Sequence, residues 1–351
     1  GLLLMIPNMY KIAAEQLPCV FHVSARTVST HALNIFGDHS DVMACRQTGF
    51  AMLCEGNVQE VMDLSPVAHL AALSGKVPFI NFFDGFRTSH EIQKIAVWDY
   101  KDLADMCDMD AVKAFREHAL NPEHPAMRGS HENGDIFFQH RESCNSIYND
   151  LPAVVEEYME KVNAKLGTNY QLFNYYGAAD ADRVIIAMGS ICDVAEEVID
   201  YLTAQGEKVG LVKVRLYRPF RADKLLEAIP ETAKKIAVLD RTKEPGSQGE
   251  PLYQDVVFAL ANAGKSVFTC GGRYGLGSKD TPPSSVFAVY EELAKDEPKK
   301  QFTLGIVDDV TNLSLAEHAS PNTAAEGTIE CKFWGLGGDG TVCANKNSIK
   351  I

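Results

Sequence analysis

The hydrophobic pattern is most regular in the second half of the chain, where apolar runs of strand length alternate with amphipathic stretches. An apolar run at residues 183–188 leads through Gly189 and Ser190 into an amphipathic stretch at 191–205, which predicts one strand–turn–helix unit. Three further units follow, with strands predicted at residues 209–216, 235–240 and 266–272, helices at 222–229, 251–263 and 284–295, and a last strand at 302–307. This alternation predicts a doubly wound α/β domain, because parallel strands need crossover helices that cover both faces of the sheet.

The first half of the chain is less regular but has the same type of pattern. Strands are predicted at residues 20–24, 41–45 and 77–83, and helices at residues 57–73, 102–120 and 151–166. The first of these helices keeps a period close to 3.6 residues despite Pro66, and the last ends at Gly167, a common helix stop signal. Residues 121–149 are rich in Pro, Gly, His and Asn, and we expect them to form a long ordered surface loop.

These elements predict two domains and a short third segment, at residues 1–169, 170–322 and 323–351. The third segment contains a glycine-rich run at residues 335–340, which is typical of a loop that holds an anion at the start of a helix. Only residues 344–351 remain to form that helix, and the chain opens inside an apolar run without an initiator methionine. We therefore expect the chain to be an internal piece of a larger protein.

Composition and charge argue against several classes of function. A formal net charge of −14 argues against binding to nucleic acid or to an anionic membrane, since both need a basic surface. No run approaches the roughly 20 apolar residues that cross a bilayer, and no signal peptide is recognisable. The nine cysteines contain no C-x-x-C pair, so we expect neither zinc nor an iron–sulfur cluster here, and reduced cysteines suit a cytoplasmic location.

Ligands of open α/β sheets collect beyond the carboxyl ends of the strands, so polar residues that follow predicted strands are the candidates. Arg26 follows the first strand and could bind a small carboxylate, although a structural ion pair explains it equally well. Arg46 and Thr48 follow the strand predicted at 41–45, where a buried polar turn is an equal alternative. A third group follows the strand at 77–83, where helix capping is the favoured alternative: Asp84, Arg87, Thr88 and His90.

Other local patterns carry less functional information. Gly189 and Ser190 could hold an anion at a helix start, but short strand-to-helix turns are commonly built this way. The charged loop at residues 240–246 predicts a domain contact at least as well as a ligand site. No H-E-x-x-H motif, metal-ligand spacing or Ser/His/Asp arrangement is present, so the sequence predicts no metal site.

Four motifs together are specific to one family. They lie at residues 82–94 (FFDGFRTSHEIQK), 213–220 with 238–246 (KVRLYRPF and VLDRTKEPG), 271–279 (GGRYGLGSK) and 333–341 (FWGLGGDGT). The chain resembles the pyruvate:ferredoxin (flavodoxin) oxidoreductases nearly from end to end. The resemblance implies a pyrimidine-binding-type domain of thiamine diphosphate enzymes, a domain similar to the transketolase C-terminal domain, and the beginning of a coenzyme A-associated third domain.

The resemblance also implies an activity and site residues. Members of the family oxidatively decarboxylate pyruvate with coenzyme A to acetyl-CoA and carbon dioxide, and pass the electrons to ferredoxin or flavodoxin. Arg26 matches the arginine that contacts the pyruvate carboxylate. The coenzyme A region is matched by Gly335, Gly337, Gly338, Gly340, Asn345 and Lys346, although Cys343 stands where we expect glycine in the family.

By the same resemblance, several parts of the enzyme fall outside this chain. The carboxylate that activates thiamine diphosphate is expected upstream, and the Mg²⁺–diphosphate domain and the [4Fe-4S] clusters downstream. We therefore expect the chain alone to bind none of these cofactors and to be inactive. The resemblance also implies that the full-length enzyme is a homodimer. Two alternatives stay open, a related 2-oxoacid oxidoreductase with another substrate and a non-catalytic scaffold subunit.

Overall fold

The computed structural model of the protein describes residues 1–349 as an α/β structure with two mixed sheets. The strands are β1 (Val20–Ala25), β2 (Ala51–Glu55), β3 (Phe79–Asp84), β4 (Phe173–Gly177), β5 (Arg183–Ala187), β6 (Val209–Val214), β7 (Leu216–Arg218), β8 (Lys235–Asp240), β9 (Phe268–Arg273) and β10 (Gln301–Thr303). The helices are α1 (Ile6–Ala14), α2 (Ser40–Ala44), α3 (Val58–Gly75), α4 (Tyr100–Met106), α5 (Met109–Glu117), α6 (Gly134–Glu142), α7 (Asn145–Leu166), α8 (Ile191–Ala204), α9 (Ala222–Ala228), α10 (Pro251–Asn262), α11 (Pro283–Ala294) and α12 (Thr341–Ile349). Short 3₁₀ helices lie at Leu2–Met5, Thr88–His90 and Leu276–Ser278.

The second sheet is the doubly wound structure that the alternating pattern predicts. Its strand order is β10-β9-β8-β5-β6-β4, and all neighbouring strands are parallel except the edge strand β4, which is antiparallel to β6. The central strands are buried on both faces, as the continuous apolar run in β5 indicates. One face packs on α8 and α11, with Val198 and Val289 fully buried there.

The first sheet has the order β1-β3-β2-β7 and joins the two halves of the chain. β1, β3 and β2 are parallel, whereas β7 from the second half lies antiparallel to β2. The strand predicted at residues 209–216 is therefore divided between the two sheets at Arg215. The Arg215 side chain is buried and lies 2.8 Å from the Glu60 carboxylate at the start of α3. A single apolar cluster extends from Leu53 of this sheet to Val212 of the second sheet.

The prediction of a strand at residues 41–45 was wrong, because these residues form helix α2. The carboxylate of Asp41 accepts hydrogen bonds from the backbone N–H groups of Val42 and Arg26, at 2.7 and 3.0 Å. The backbone N–H of Met43 donates to the carbonyl of His39 at 2.9 Å. A five-residue apolar run is too short for periodicity to separate helix from strand, and here local side-chain hydrogen bonds to the backbone favour a helical turn.

Three other predictions for the first half need correction. The helix predicted at residues 102–120 is divided into α4 and α5, because Asp108 caps a new helix through the N–H groups of Asp110 and Ala111. The loop predicted at residues 121–149 contains α6 and the first turn of α7. Strands β2 and β4 were not predicted. All five residues of β2 are buried, so the strand shows no alternation of apolar and polar positions.

Helix α3 begins as its sequence indicates. The side chain of Asn57 accepts a hydrogen bond from the N–H of Glu60 at 3.0 Å, and the Glu60 carboxylate accepts one from the N–H of Gly56 at 2.7 Å. Side-chain acceptors of this kind satisfy N–H groups that have no partner within the helix. Helix α7 ends at Gly167, which has a φ of 70°, as the stop signal predicts.

Candidate functional site

The parallel pairing of β1 and β3 brings two sequence candidates to the same edge of the first sheet. Ala25 pairs in register with Asp84, so Arg26 leaves β1 beside the carboxyl end of β3. The backbone N–H of Gly85 donates to the carbonyl of Ala25 at 3.1 Å and keeps the two strand ends together. This edge is where ligands of open α/β sheets collect.

Arg26 lines an open cleft of about 690 Å³ that runs along the outer strand β1 and the segment after it, beside residues 1–5. Its guanidinium donates to the carbonyl oxygens of Ile35 and Phe36, and its central carbon lies 4.4 Å from the centre of the Phe86 ring. These contacts hold the side chain in one orientation. A guanidinium has five N–H groups, and the two carbonyls use two of them, so N–H groups remain for a carboxylate in the cleft.

Asp41 lies directly behind Arg26 and lines the same cleft. Asp41 is 8% exposed, and its carboxylate accepts the backbone N–H of Arg26, while the backbone N–H of Asp41 donates to the Arg26 carbonyl at 3.3 Å. Burial raises the pKa of Asp41 to about 6, against the opposing hydrogen bonds from the Arg26 and Val42 N–H groups. The site therefore combines one cation with a carboxyl group that titrates near neutral pH.

Asp84 is fully buried in an ion cluster between the two sheets. Its carboxylate accepts hydrogen bonds from the ring of His39 and from the N–H and hydroxyl of Ser190, and lies 2.9 Å from a guanidinium nitrogen of Arg241. Burial alone would raise the pKa of Asp84, but the charges of His39 and Arg241 outweigh it and hold the pKa well below its usual range.

This cluster connects the first sheet to the start of α8. Gly189 has a φ of +82°, and a Cβ atom there would lie 2.9 Å from the Asp84 carboxylate. The Asp84 carboxylate therefore occupies the helix N-terminus that an external anion would need. Its contacts are structural, whereas the cleft lined by Arg26 is open to a ligand.

Arg46 and Thr48, which were expected to follow a strand, follow helix α2 instead and have partners within the protein. Arg46 lies 2.8 Å from the carboxylate of Glu244, and Thr48 is buried and donates to the carbonyl of Cys45. Arg46 therefore connects the two halves of the chain, while Thr48 closes a turn.

Arg87, Thr88 and His90 form the turn after β3. Arg87 is half exposed and lies 3.1 Å from Asp280, and the buried hydroxyl of Thr88 donates to the carbonyl of Gly56. The ring of exposed His90 stacks on Phe86 with the centroids 4.6 Å apart. Through Phe86, this turn supports the Arg26 side chain without contributing a second cation to its cleft.

The glycine-rich loop at residues 335–340 is exposed and precedes α12. Gly337, Gly338 and Gly340 have positive φ, with open space where a Cβ atom would lie. The carboxylate of Asp339 accepts the N–H groups of Leu336 and Thr341, both at 3.1 Å. Asn345 and Lys346 lie on α12, whereas residues 350 and 351 of the predicted helix are outside the described residues.

The sequence did not point to Asp41 or Phe86, the residues that hold Arg26 in place. Asp41 was assigned to a strand, and Phe86 was read only as part of a motif. The run Gly37-Asp38-His39-Ser40-Asp41 did contain a usable signal, since Asp and Ser before a short apolar run favour a helix start. Within residues 1–349, no group of three or more potential metal ligands converges, and no helix is both long and apolar enough to cross a membrane.

Comparisons with known proteins agree with these features. A family model described as "Pyruvate flavodoxin/ferredoxin oxidoreductase, thiamine diP-bdg" matches residues 1–160, and one described as "Pyruvate:ferredoxin oxidoreductase core domain II" matches residues 181–286. The whole chain is 62% identical over 351 residues to the pyruvate:ferredoxin oxidoreductase of Moorella thermoacetica. It is 58% identical over 352 residues to the pyruvate-flavodoxin oxidoreductase of Klebsiella pneumoniae. The chain spans 30% of the length of each of these relatives.

A solved structure shows the same fold at lower sequence similarity. It is described as 2-oxoglutarate:ferredoxin oxidoreductase from Magnetococcus marinus with 2-oxoglutarate, coenzyme A and succinyl-CoA bound. The match has a TM-score of 0.54 and 19% identity, and covers 84% of this chain and 52% of that chain. At this identity the likeness concerns the fold.

Proposed function

The chain belongs to the pyruvate flavodoxin/ferredoxin oxidoreductase family, and on that premise we propose that it is the part of such an enzyme that binds the carboxylate of pyruvate. The complete enzyme would oxidatively decarboxylate pyruvate with coenzyme A to acetyl-CoA and carbon dioxide, and reduce ferredoxin or flavodoxin. The observation that carries this proposal is the identity of 62% over the whole chain to a pyruvate:ferredoxin oxidoreductase.

Within this chain, Arg26 is the residue we assign to substrate binding. Its guanidinium is oriented by two carbonyls and the Phe86 ring, and the residue lines the open cleft beside β1. A planar, permanently charged guanidinium suits the two oxygens of a carboxylate. We infer that Arg26 holds the carboxylate of pyruvate and so orients its 2-oxo group.

The lining of the cleft favours a small monocarboxylate. Among the described residues of this chain that line the cleft, Arg26 is the single lysine or arginine, beside apolar Phe21, Val23 and Val28 and the carboxyl group of Asp41. Within this part of the protein, a second substrate carboxylate would meet no second arginine or lysine and would approach Asp41. This arrangement supports pyruvate over 2-oxoglutarate, the substrate named for the Magnetococcus marinus enzyme.

The same lining bears on thiamine diphosphate, Mg²⁺ and the [4Fe-4S] clusters, which we assign to the full-length enzyme. When bound, thiamine diphosphate supplies the electron sink for decarboxylation. The described part of this chain fits the substrate end of such a site, because the cleft has a carboxylate-binding cation but no second arginine or lysine for a diphosphate. We propose that the groups which hold the diphosphate and its metal come from other parts of the parent protein.

For coenzyme A, we propose the loop at residues 335–340 with Asn345 and Lys346 on α12. The loop is exposed, Gly337, Gly338 and Gly340 leave open space, and Lys346 adds a positive charge close to it in sequence, whereas Gly335 packs against the Thr341 side chain. An anionic group of coenzyme A would have to displace the Asp339 carboxylate from the N–H groups of Leu336 and Thr341. Binding there would thus exchange one anion for another at the start of α12.

Three further assignments complete the proposal. The domains are residues 1–169, 170–322 and 323–351, and the strand β7 lies in the sheet of the first domain although it belongs to the second in sequence. The full-length enzyme is a cytoplasmic homodimer whose partners include ferredoxin or flavodoxin. The chain alone is inactive and binds none of the cofactors tightly.

The test is pyruvate-dependent, coenzyme A-dependent reduction of a viologen dye by the full-length parent under anaerobic conditions. We expect Arg26→Ala to raise the KM for pyruvate by about 100-fold, since it removes a charged hydrogen-bonding partner worth roughly 1.5–3 kcal/mol. Arg221→Ala is the matched control, because Arg221 pairs with Asp223 two residues along the chain and away from the cleft. A parent enzyme that oxidises 2-oxoglutarate but ignores pyruvate would disprove the substrate assignment.

A further inference from the structure

Arg26 lies just beyond the end of β1, so the ladder between β1 and β3 no longer holds its backbone. The last paired residues are Ala25 and Asp84. Among residues 1–349, the backbone N–H of Arg26 has one hydrogen-bond partner, the carboxylate of Asp41 at 3.0 Å, and its carbonyl has one, the N–H of Asp41 at 3.3 Å. Asp41 therefore binds both backbone polar groups of the residue that faces the cleft.

Asp41 itself is well anchored. The same carboxylate oxygen that accepts the Arg26 N–H also accepts the N–H of Val42 at 2.7 Å, and the residue is 8% exposed. Helix α2, which contains Asp41, packs against the end of β1. Any movement of this carboxylate would therefore move the Arg26 backbone, and with it the Cα atom from which the arginine side chain extends.

On this geometry we propose that Asp41 is a positioning residue for the substrate arginine, which fixes Arg26 at the cleft through a charge-assisted hydrogen bond to its backbone. This inference rests on the proposed function, in which Arg26 binds the pyruvate carboxylate. Asp41 acts through Arg26 and does not need to contact the substrate. A hydrogen bond to a carboxylate is about twice as strong as one to a neutral acceptor. The strength of the hydrogen bond from the Arg26 N–H therefore depends on the charge of Asp41.

That dependence gives a pH signature. Burial raises the pKa of Asp41 to about 6, so the carboxyl is ionised above this pH and neutral below it. The charged and titratable groups that face it are Arg26, His39, Asp38 and the Cys45 thiol. As pH falls through about 6, the hydrogen bond to the Arg26 N–H weakens, and we expect the KM for pyruvate to rise by about fivefold.

The experiment compares variants of the full-length enzyme in the viologen assay from pH 5 to 7.5. We expect Asp41→Ala to raise the KM for pyruvate about tenfold or more with kcat within about twofold, because it removes the acceptor. Asp41→Asn keeps a neutral acceptor and should recover part of this loss. Its KM should be independent of pH and equal that of the wild type at pH 5.

The matched control is Asp38→Asn. Asp38 is 4% exposed and accepts the N–H groups of Ser40 and Gly277, but it has no hydrogen bond with Arg26. We expect this variant to keep the wild-type KM at pH 7. Its KM should begin to rise at a lower pH than in the wild type, because the negative charge of Asp38 helps to raise the pKa of Asp41. An Asp41→Ala enzyme with the wild-type KM at pH 7, or an Asp41→Asn enzyme that keeps the wild-type pH dependence, would overturn the proposal.

Hydrogen exchange separates failure of this proposal from failure of the proposed substrate. Measured by mass spectrometry on the same proteins, amide exchange at Arg26 should be about tenfold faster in Asp41→Ala and partly restored in Asp41→Asn. If the parent does not oxidise pyruvate but the exchange rates follow this order, Asp41 positions Arg26 for a different substrate. If exchange at Arg26 is unchanged in Asp41→Ala, Asp41 does not hold its backbone.

Discussion

The most informative stability prediction concerns Glu55, the last residue of β2. Its side chain is fully buried, and neither carboxylate oxygen has a hydrogen-bond partner among the described residues. Burial and the nearby charge of Glu60 raise its pKa well above the usual range, and the charge of Arg215 only partly opposes them. We therefore expect Glu55 to be a neutral carboxylic acid in the folded protein and a carboxylate in the unfolded chain at neutral pH.

The magnitude follows from proton linkage. The folded state binds a proton that the unfolded state has lost above its pKa of 4.5, so stability is highest below that pH and falls as pH rises toward the folded pKa. One proton corresponds to about 1.4 kcal/mol per pH unit. This loss of stability continues over the pH range in which the unfolded chain has lost the proton and the folded protein keeps it.

The perturbation is Glu55→Gln, which keeps the size and polarity of the side chain but cannot titrate. We would measure the free energy of unfolding of the wild type and the variant by urea denaturation at pH 5, 6 and 7. The free energy of unfolding of the variant should increase relative to that of the wild type by up to about 1.4 kcal/mol for each unit of pH. Parallel pH profiles would refute the reasoning and show that Glu55 is ionised, with a partner, in the folded state.

A second variant tests the cost of the unpaired group itself. Glu55→Met replaces the carboxyl with an apolar side chain of similar length, so no buried polar atom is left without a partner. Because an unsatisfied buried polar group costs about 1–3 kcal/mol, we expect Glu55→Met to be more stable than Glu55→Gln at every pH. A less stable Glu55→Met would indicate that the site is polar or hydrated.

The remaining predictions concern the contact between the sheets and the start of α3. Asp84→Ala should lower the free energy of unfolding by about 3–5 kcal/mol in a denaturant titration, because Arg241 stays buried without its carboxylate. Gly189→Ala should lower the free energy of unfolding more than the control Gly206→Ala does. Both glycines have positive φ, but of the two positions it is at Gly189 that a Cβ atom would approach the Asp84 carboxylate. Asn57→Ala should lower the melting temperature through a loss of about 1 kcal/mol, and Asn57→Ser should restore most of it.

Much of the fold could be predicted from local patterns. Runs such as residues 183–188 and 235–240 are strongly apolar and each leads into an amphipathic stretch, so neighbouring residues carry the information needed. The failures occurred where that information is distributed over distant parts of the chain. Helix α2 is tied to the end of β1 by the hydrogen bond from the Arg26 backbone N–H to the Asp41 carboxylate, a contact between residues 15 positions apart that a local pattern does not record.

The candidate site shows the same contrast between local patterns and contacts of distant segments. The resemblance selected Arg26, and position after a strand selected Asp84, but sequence position could not separate an open cleft from a buried ion cluster. His39, Ser190 and Arg241 converge on Asp84 from three separate parts of the chain, and together they close that part of the edge. Within residues 1–349, the Arg26 guanidinium contacts two carbonyls and an aromatic ring and no carboxylate, so it stays open to a ligand.

Apolar periodicity, turn residues and motifs are properties of neighbouring residues, so the α/β class, the order of most elements and the family follow from the sequence alone. Three features depend instead on distant segments: Leu216–Arg218 joins the first sheet, Glu55 is buried without a hydrogen-bond partner among residues 1–349, and the Asp41 carboxylate accepts the backbone N–H of Arg26. Pairing between strands and the burial of charge depend on which distant segments meet. Those contacts exist only once the chain has folded.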